Sequence, residues 1–161
     1  MSFRVCMVCL GNICRSPMAA AVLRHKLEAA GLGDEVVVES AGTGGWHVGD
    51  GADRRARAAL VARGYDDTHR ARTFVRSFFQ DYDLVIAMDG ENLRNLRALA
   101  PDREARDEVR LLRSYDPTSP PDAEVADPYY GGDDGFVDVL DQIERACDGL
   151  VADLRESLLD R

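Results

Sequence analysis

Phe3-Arg4-Val5-Cys6-Met7-Val8-Cys9-Leu10-Gly11-Asn12-Ile13-Cys14-Arg15-Ser16-Pro17 is the stretch that decides the fold. Up to Val8 it is an apolar run with the length of a buried strand. Ser16 is a good helix N-cap and Pro17 suits the first helical position. Met18, Ala19, Val22, Leu23 and Leu27 then recur at helical spacing until Gly31 stops the run. Between strand and helix stand a cysteine, five residues and Arg-Ser. Backbone N–H groups of a tight loop at a helix N-terminus point inward and bind anions. Gly11 and Asn12 suit the left-handed backbone such a loop needs. Arg15 offers a planar fork to two phosphate oxygens. The same amides and charge favour a thiolate at Cys9, and Ser16 is placed to donate a hydrogen bond to that sulfur. The pattern predicts a phosphate-holding loop, Leu10, Gly11, Asn12, Ile13, Cys14, Arg15 and Ser16, with Cys9 as its nucleophile.

Strands and helices alternate outward from this loop. Val36 to Glu39 reads as a second strand, Asp53 to Arg63 as a helix stopped by Gly64, and Thr73 to Gln80 as a short helix. Asp83 to Met88 is a third, buried strand, after which Asp89 caps a helix that Pro101 ends. Val109 to Leu112 is a fourth strand, and Phe136, Val139, Leu140, Ile143, Cys147, Leu150, Leu154 and Leu158 make the apolar stripe of a long last helix. The expected fold is α/β: a single domain over residues 1–161, with a four-stranded parallel sheet, helices on both faces, and the active-site loop between strand 1 and helix 1. Ligands of such sheets bind beyond the carboxyl ends of the strands. That rim collects the Cys9 loop, Ser40-Ala41-Gly42, Asp89 and the polar loop Ser114 to Asp134.

The 161 residues carry 20 Lys plus Arg against 29 Asp plus Glu, a net charge of −9. This argues against nucleic acid and anionic membrane as partners. It also requires any phosphate pocket to be built locally. Lys26 is the single lysine, a bias that suggests GC-rich coding and a bacterial source. With no membrane-length apolar run and no signal-peptide pattern, the reading is cytoplasmic, where Cys6, Cys9, Cys14 and Cys147 stay reduced.

A phosphate ester also needs its leaving oxygen protonated. Asp127, in Asp127-Pro128-Tyr129-Tyr130, is the best candidate acid. It follows the fourth strand, Pro128 stiffens it, and two aromatics come next. Asp116-Pro117 competes and lacks the aromatics.

Taken together, Val8 to Ala19, Ser40-Ala41-Gly42-Thr43 with Trp46, His69-Arg70-Ala71-Arg72, Met88-Asp89 with Asn92-Leu93, and Asp127 to Tyr130 resemble the low-molecular-weight protein tyrosine phosphatases over essentially the whole length. The resemblance implies hydrolysis of protein phosphotyrosine and small aryl phosphates, with no metal and no cofactor. Cys9 would form a phosphocysteine, Arg15 would clamp the equatorial oxygens, and Asp127 would act as acid and then as base. Asn12, Ser40 and His69 would lock the loop. Leu10, Ile13, Trp46, Tyr129 and Tyr130 would wall the crevice. Phosphotyrosine-containing proteins would be the partners; the oligomeric state stays open.

Other readings remain. An arsenate reductase on the same fold usually needs a second cysteine pair after the third strand, where this chain reads Met88-Asp89-Gly90-Glu91-Asn92. A phosphotyrosine-recognition module would not need Cys9, Arg15 and Asp127 together. Cys6 and Cys9 form a Cys-x-x-Cys without a second ligand pair, so Cys6 is read as a strand residue. Cys14, on the same loop as Cys9, is a candidate redox partner that would trap an oxidised Cys9 as a disulfide. Tyr129 and Tyr130 are also candidate phosphorylation targets, and His47 is left undecided.

Overall fold

The structure, a computed structural model, describes residues 2–160. Its centre is β1 (Phe3–Cys9), whose Val5, Cys6, Met7 and Val8 are fully buried. β1 pairs in parallel with β2 (Val36–Gly42) on one side and β3 (Leu84–Ala87) on the other, and β3 pairs in parallel with β4 (Val109–Leu111). The four-stranded order is β2-β1-β3-β4.

The pleat divides the core. Val5 and Met7 point to the face that also takes Val36, Val38 and Ile86. Cys6 and Val8 point to the other, with Val85, Ala87 and Val109. The first face is covered by α1 (Arg15–Ala29), α2 (Arg54–Ala62) and α5 (Asp133–Leu159), through Met18, Leu23, Leu60, Phe136 and Leu140. The second is covered by α3 (Gly90–Leu99), the short α4 (Arg103–Asp107) and a 3-10 turn, Arg76–Gln80. Leu96, Ala105, Phe74, Phe79 and Tyr82 pack there. The helices therefore flank both faces, as the alternation of elements predicts.

Several local expectations change. Ser16 is not the N-cap of α1; Cys14 occupies that position, without a side-chain cap, and the Ser16 hydroxyl is turned to Cys9 and Asn12 instead. Gly11 does not take the left-handed backbone, whereas Asn12 does, at φ 58°. β2 runs three residues beyond Glu39, to Gly42, which pairs with Cys9. A Cβ on Gly42 would stand 2.7 Å from the Leu10 carbonyl oxygen, so only glycine lets the loop close over this strand end. Thr73 bridges Gly42 before the 3-10 turn begins at Arg76, so the helix expected from Thr73 starts later and is tighter. The short α4 has too few residues to show a periodic signal. A second 3-10 turn, Leu112–Tyr115, takes the first residues of the expected Ser114 loop, and α5 takes its last two. Among the described residues no helix is long and apolar enough to cross a membrane.

Candidate active site

β1 ends at Cys9 and α1 begins at Arg15, so the loop between them is held at both ends by the core. Asn12 organises it. Its Nδ2 donates to Ser16 Oγ at 2.8 Å and to Ser40 Oγ at 3.0 Å, and its Oδ1 accepts from the Arg72 backbone N–H at 3.0 Å. Its carbonyl lies 2.6 Å from His69 Nε2. A carbonyl only accepts, so His69 carries its proton on Nε2. Burial pushes the His69 imidazole below its ordinary value and Arg24 adds to this, against the pull of the Asn12 carbonyl. The three residues expected to support the loop thus meet at one point.

Ser16 Oγ lies 2.9 Å from Cys9 Sγ. Its oxygen already accepts from Asn12, so its proton is free to donate to the sulfur, which suits a thiolate. Cys9 is buried yet lines the floor of a cleft of about 290 Å³, together with Leu10, Ile13 and Arg15. The walls are Trp46, His47, Asp127, Tyr129 and Tyr130. Trp46 is 72% exposed and Tyr130 is 93% exposed, so neither ring belongs to the core. His47 is in the wall, and a Cβ on Gly11 would come within 3.2 Å of its Cδ2, which explains a small residue there.

Arg15 is buried, with Nη1 donating to Asp89 Oδ2 at 2.6 Å and to the Val125 carbonyl at 3.0 Å, while Nη2 lies 3.5 Å from Asp127 Oδ2. Burial works against its charge, but Cys9, Asp89 and Asp127 outweigh it and raise the guanidinium above its ordinary value. Asp89 also caps α3 by accepting from Asn92 N–H at 2.8 Å. The sequence marks Asp89 as a helix cap on the ligand-binding rim, not as a partner of Arg15. Its second partner is 74 residues away.

Asp127 accepts from the Tyr129 backbone N–H at 3.1 Å through Oδ1, which leaves Oδ2 toward Arg15. Sequence reasoning missed what holds this loop in place. Arg55, in the first turn of α2, donates to the carbonyls of Tyr129 at 2.8 Å and Gly131 at 2.9 Å. Its guanidinium lies over the rings of Tyr129 and Phe136 and pairs with Asp53. The backbone N–H of Asp53 in turn donates to the Ile13 carbonyl at 2.8 Å, so one helix start touches both the Cys9–Arg15 loop and the Asp127 loop.

Cys14 is buried, and burial first of all, with Asp53, Cys9 and Asp127, pushes its thiol up to about 12. Cys6 packs on the opposite face of the sheet from Cys9, and burial pushes it up to about 12. The Cys-x-x-Cys spacing therefore does not bring the two sulfurs into one site. Chemically, the cleft offers a sulfur with a hydroxyl donor, a buried guanidinium, and an exposed carboxyl at its mouth.

A family model described as low molecular weight phosphotyrosine protein phosphatase matches residues 4–159. The chain is 54% identical to a low molecular weight protein-tyrosine-phosphatase of Streptomyces coelicolor, covering 100% of this chain and 99% of that one. It is 49% identical to low molecular weight protein-tyrosine phosphatase A of Mycobacterium bovis, over 91% and 88% of the two chains. Its backbone is similar to a crystal structure of a protein tyrosine phosphatase from Entamoeba histolytica, with a Hepes molecule in the active site. The TM-score is 0.92 at 37% identity, covering 97% of this chain and 99% of that one.

Proposed function

The chain belongs to the low molecular weight phosphotyrosine protein phosphatase family, and from that premise we propose that it is a hydrolase of protein phosphotyrosine and small aryl phosphates acting through a phosphocysteine. Cys9 Sγ attacks phosphorus at the cleft floor. The loop amides and the Arg15 guanidinium take the equatorial oxygens, where charge builds in the transition state. Asp127 Oδ2 protonates the departing phenolic oxygen. The carboxylate then takes a proton from water, which attacks phosphorus and releases phosphate and the Cys9 thiolate. The Ser16 hydroxyl stabilises that thiolate as it leaves.

The observation that carries this reading is the chain of contacts from Asn12 through Ser16 to Cys9, with Arg15 beside it held between Asp89 and Asp127. Aromatic walls favour an aryl substrate, which reaches deeper than a serine phosphate. The partners are phosphotyrosine-containing proteins and the compartment is the cytoplasm, where Cys9 stays reduced. Cys14 traps a peroxide-oxidised Cys9 as a reversible disulfide. If Cys14→Ser recovers from peroxide as fully as the wild type, that role fails. Nothing favours arsenate reduction: Cys147 is buried in α5, and no cysteine flanks Asp89.

The test is metal-free hydrolysis of p-nitrophenyl phosphate and of matched phosphotyrosine and phosphoserine peptides. Turnover should favour the tyrosine peptide, be blocked by vanadate and vanish in Cys9→Ser. Normal turnover in Cys9→Ser sinks the mechanism.

A further inference from the structure

A second cavity, of about 540 Å³, shares no lining residue with the cleft. Its wall includes Arg24 of α1, Glu39 and Ser40 of β2, and His69, Arg70 and Arg72 of the segment before the first 3-10 turn. Of the four residues bonded to Asn12, three (Ser40, His69 and Arg72) belong to this wall, and the fourth is Ser16. The same asparagine that orients the hydroxyl on Cys9 is therefore held from the second cavity.

The wall is rich in unspent donors. Arg70 is exposed, and no hydrogen bond or ion pair engages it among the described residues. Arg24 directs Nε and Nη2 to the Val38 carbonyl, and Arg72 directs Nε to the Ser40 carbonyl and Nη2 to the Tyr82 hydroxyl. Arg24 keeps Nη1 unengaged, whereas the Arg72 guanidinium also lies over the Phe78 and Tyr82 rings and against Cys6. Glu39, the one carboxylate of the wall, already accepts from Arg4 and Tyr82. Ser40 is only 7% exposed; its Oγ accepts from Asn12 while its own proton has no acceptor. His69 donates through Nε2 and leaves Nδ1 unpartnered. The guanidiniums of Arg24 and Arg70, a buried hydroxyl proton and an imidazole around one hollow suit an anion that offers several oxygens, in a chain whose net charge is −9.

We propose that this cavity binds a small multivalent oxyanion, a polycarboxylate or a polyphosphate, and that the bound anion is coupled to Cys9 through Ser40, His69, Asn12 and Ser16. The anion accepts from Ser40 and the arginines and stabilises a proton on His69 Nδ1. Ser40 and His69 are thereby fixed in the orientation that holds Asn12 left-handed, and Asn12 sets Ser16 against the sulfur.

The test is an NMR titration with citrate and, in parallel, pyrophosphate, on protein whose Cys9 has been carboxymethylated with iodoacetate so that the cleft is blocked. The expected result is a saturable shift of the His69 ring signals and of the Asn12 side-chain amide, with His47, the reporter of the cleft, unmoved. The midpoint of the His69 titration should rise by about one pH unit. Arg70→Gln, at an exposed position, and Arg24→Gln should each weaken binding about tenfold. The tighter of the two probes assigns the anion to one class. Unmoved His69 signals, movement of His47 instead, or unchanged affinity in both variants overturns the site; a His69 shift without an Asn12 shift overturns the coupling. Failure of Cys9 to alkylate counts against the phosphatase mechanism, and the Arg70→Gln comparison on unmodified protein then decides the cavity.

Discussion

Asp116-Pro117 and Asp127-Pro128 are the same dipeptide in the same post-β4 segment, and their surroundings give them opposite work. The Asp116 side chain is 2% exposed, whereas that of Asp127 is 40% exposed. Asp116 accepts from the Thr118 amide and hydroxyl and from the Ser119 hydroxyl, and it faces Arg145 of α5 at 3.6 Å. These bonds, that to the Thr118 hydroxyl foremost, hold its carboxyl down at about 2. Three hydrogen bonds and a facing guanidinium occupy both of its oxygens. Asp127 accepts one backbone amide and keeps its other oxygen at the mouth of the cleft. A carboxyl hydrogen-bonded locally through both oxygens is poorly placed to exchange a proton with a substrate, and one whose second oxygen meets only Arg15 at the cleft adds little rigidity. The difference sets a structural aspartate apart from the proposed acid without appeal to the dipeptide itself.

The sharpest way to break that contrast is to exchange the two losses. Asp127→Asn should lower kcat about 10²–10³-fold on aryl phosphates with poor leaving groups, and less on p-nitrophenyl phosphate. Its melting temperature should stay at the wild-type value. An equal slowing in Asp116→Asn would erase the distinction. Asp116→Ala should instead lose about 1–3 kcal/mol of stability, from donors left unpaired. In a domain of this size that is a fall of about 2–4 °C per kcal/mol in Tm, with kcat/KM unchanged. Arg55→Ala should occupy the middle. It frees the carbonyls of Tyr129 and Gly131, so kcat should drop about tenfold while the chain stays folded. A loss confined to KM would mean that Arg55 shapes the wall and not the acid. The smallest effect is on pH. The native state holds the Asp116 carboxyl below its ordinary 3.8, so its contribution is complete above that value and is lost as pH falls through about 2. The Tm gap between wild type and Asp116→Ala should therefore be constant near neutrality and close on acidification from about pH 4 to pH 2. A gap that widens on acidification contradicts the assignment.

What could be read from the sequence was local. The β1 run, the Cys9 to Ser16 loop, the helix start at Asp53 and the cap at Asp89 each carry their signal within a few residues, and the parallel sheet follows from the alternation of strands and helices. Asp127 was preferred over Asp116 because aromatics follow it, which is also local. The hidden parts were contacts across the chain. Asp89 is legible as a cap but not as the partner of Arg15, and no local pattern singles out Arg55. Ser16 is half legible: the residue type suits a cap, a place that Cys14 takes instead, while its hydroxyl meets the Cys9 sulfur as the loop spacing predicts. The short α4 lies below the length at which a period can be counted.

Gly149 has one more consequence. A Cβ there would fall 1.8 Å from the Tyr115 carbonyl oxygen, so α5 and the start of the segment after β4 press backbone to backbone. Downstream, Val125 donates to the Met88 carbonyl and Arg55 grips Tyr129 and Gly131. The stretch from Pro120 to Ala123 hangs between these moorings like the deck of a footbridge. Extra residues inserted there would lengthen the deck without shifting either abutment, which makes it the natural place to graft a substrate-selecting appendage.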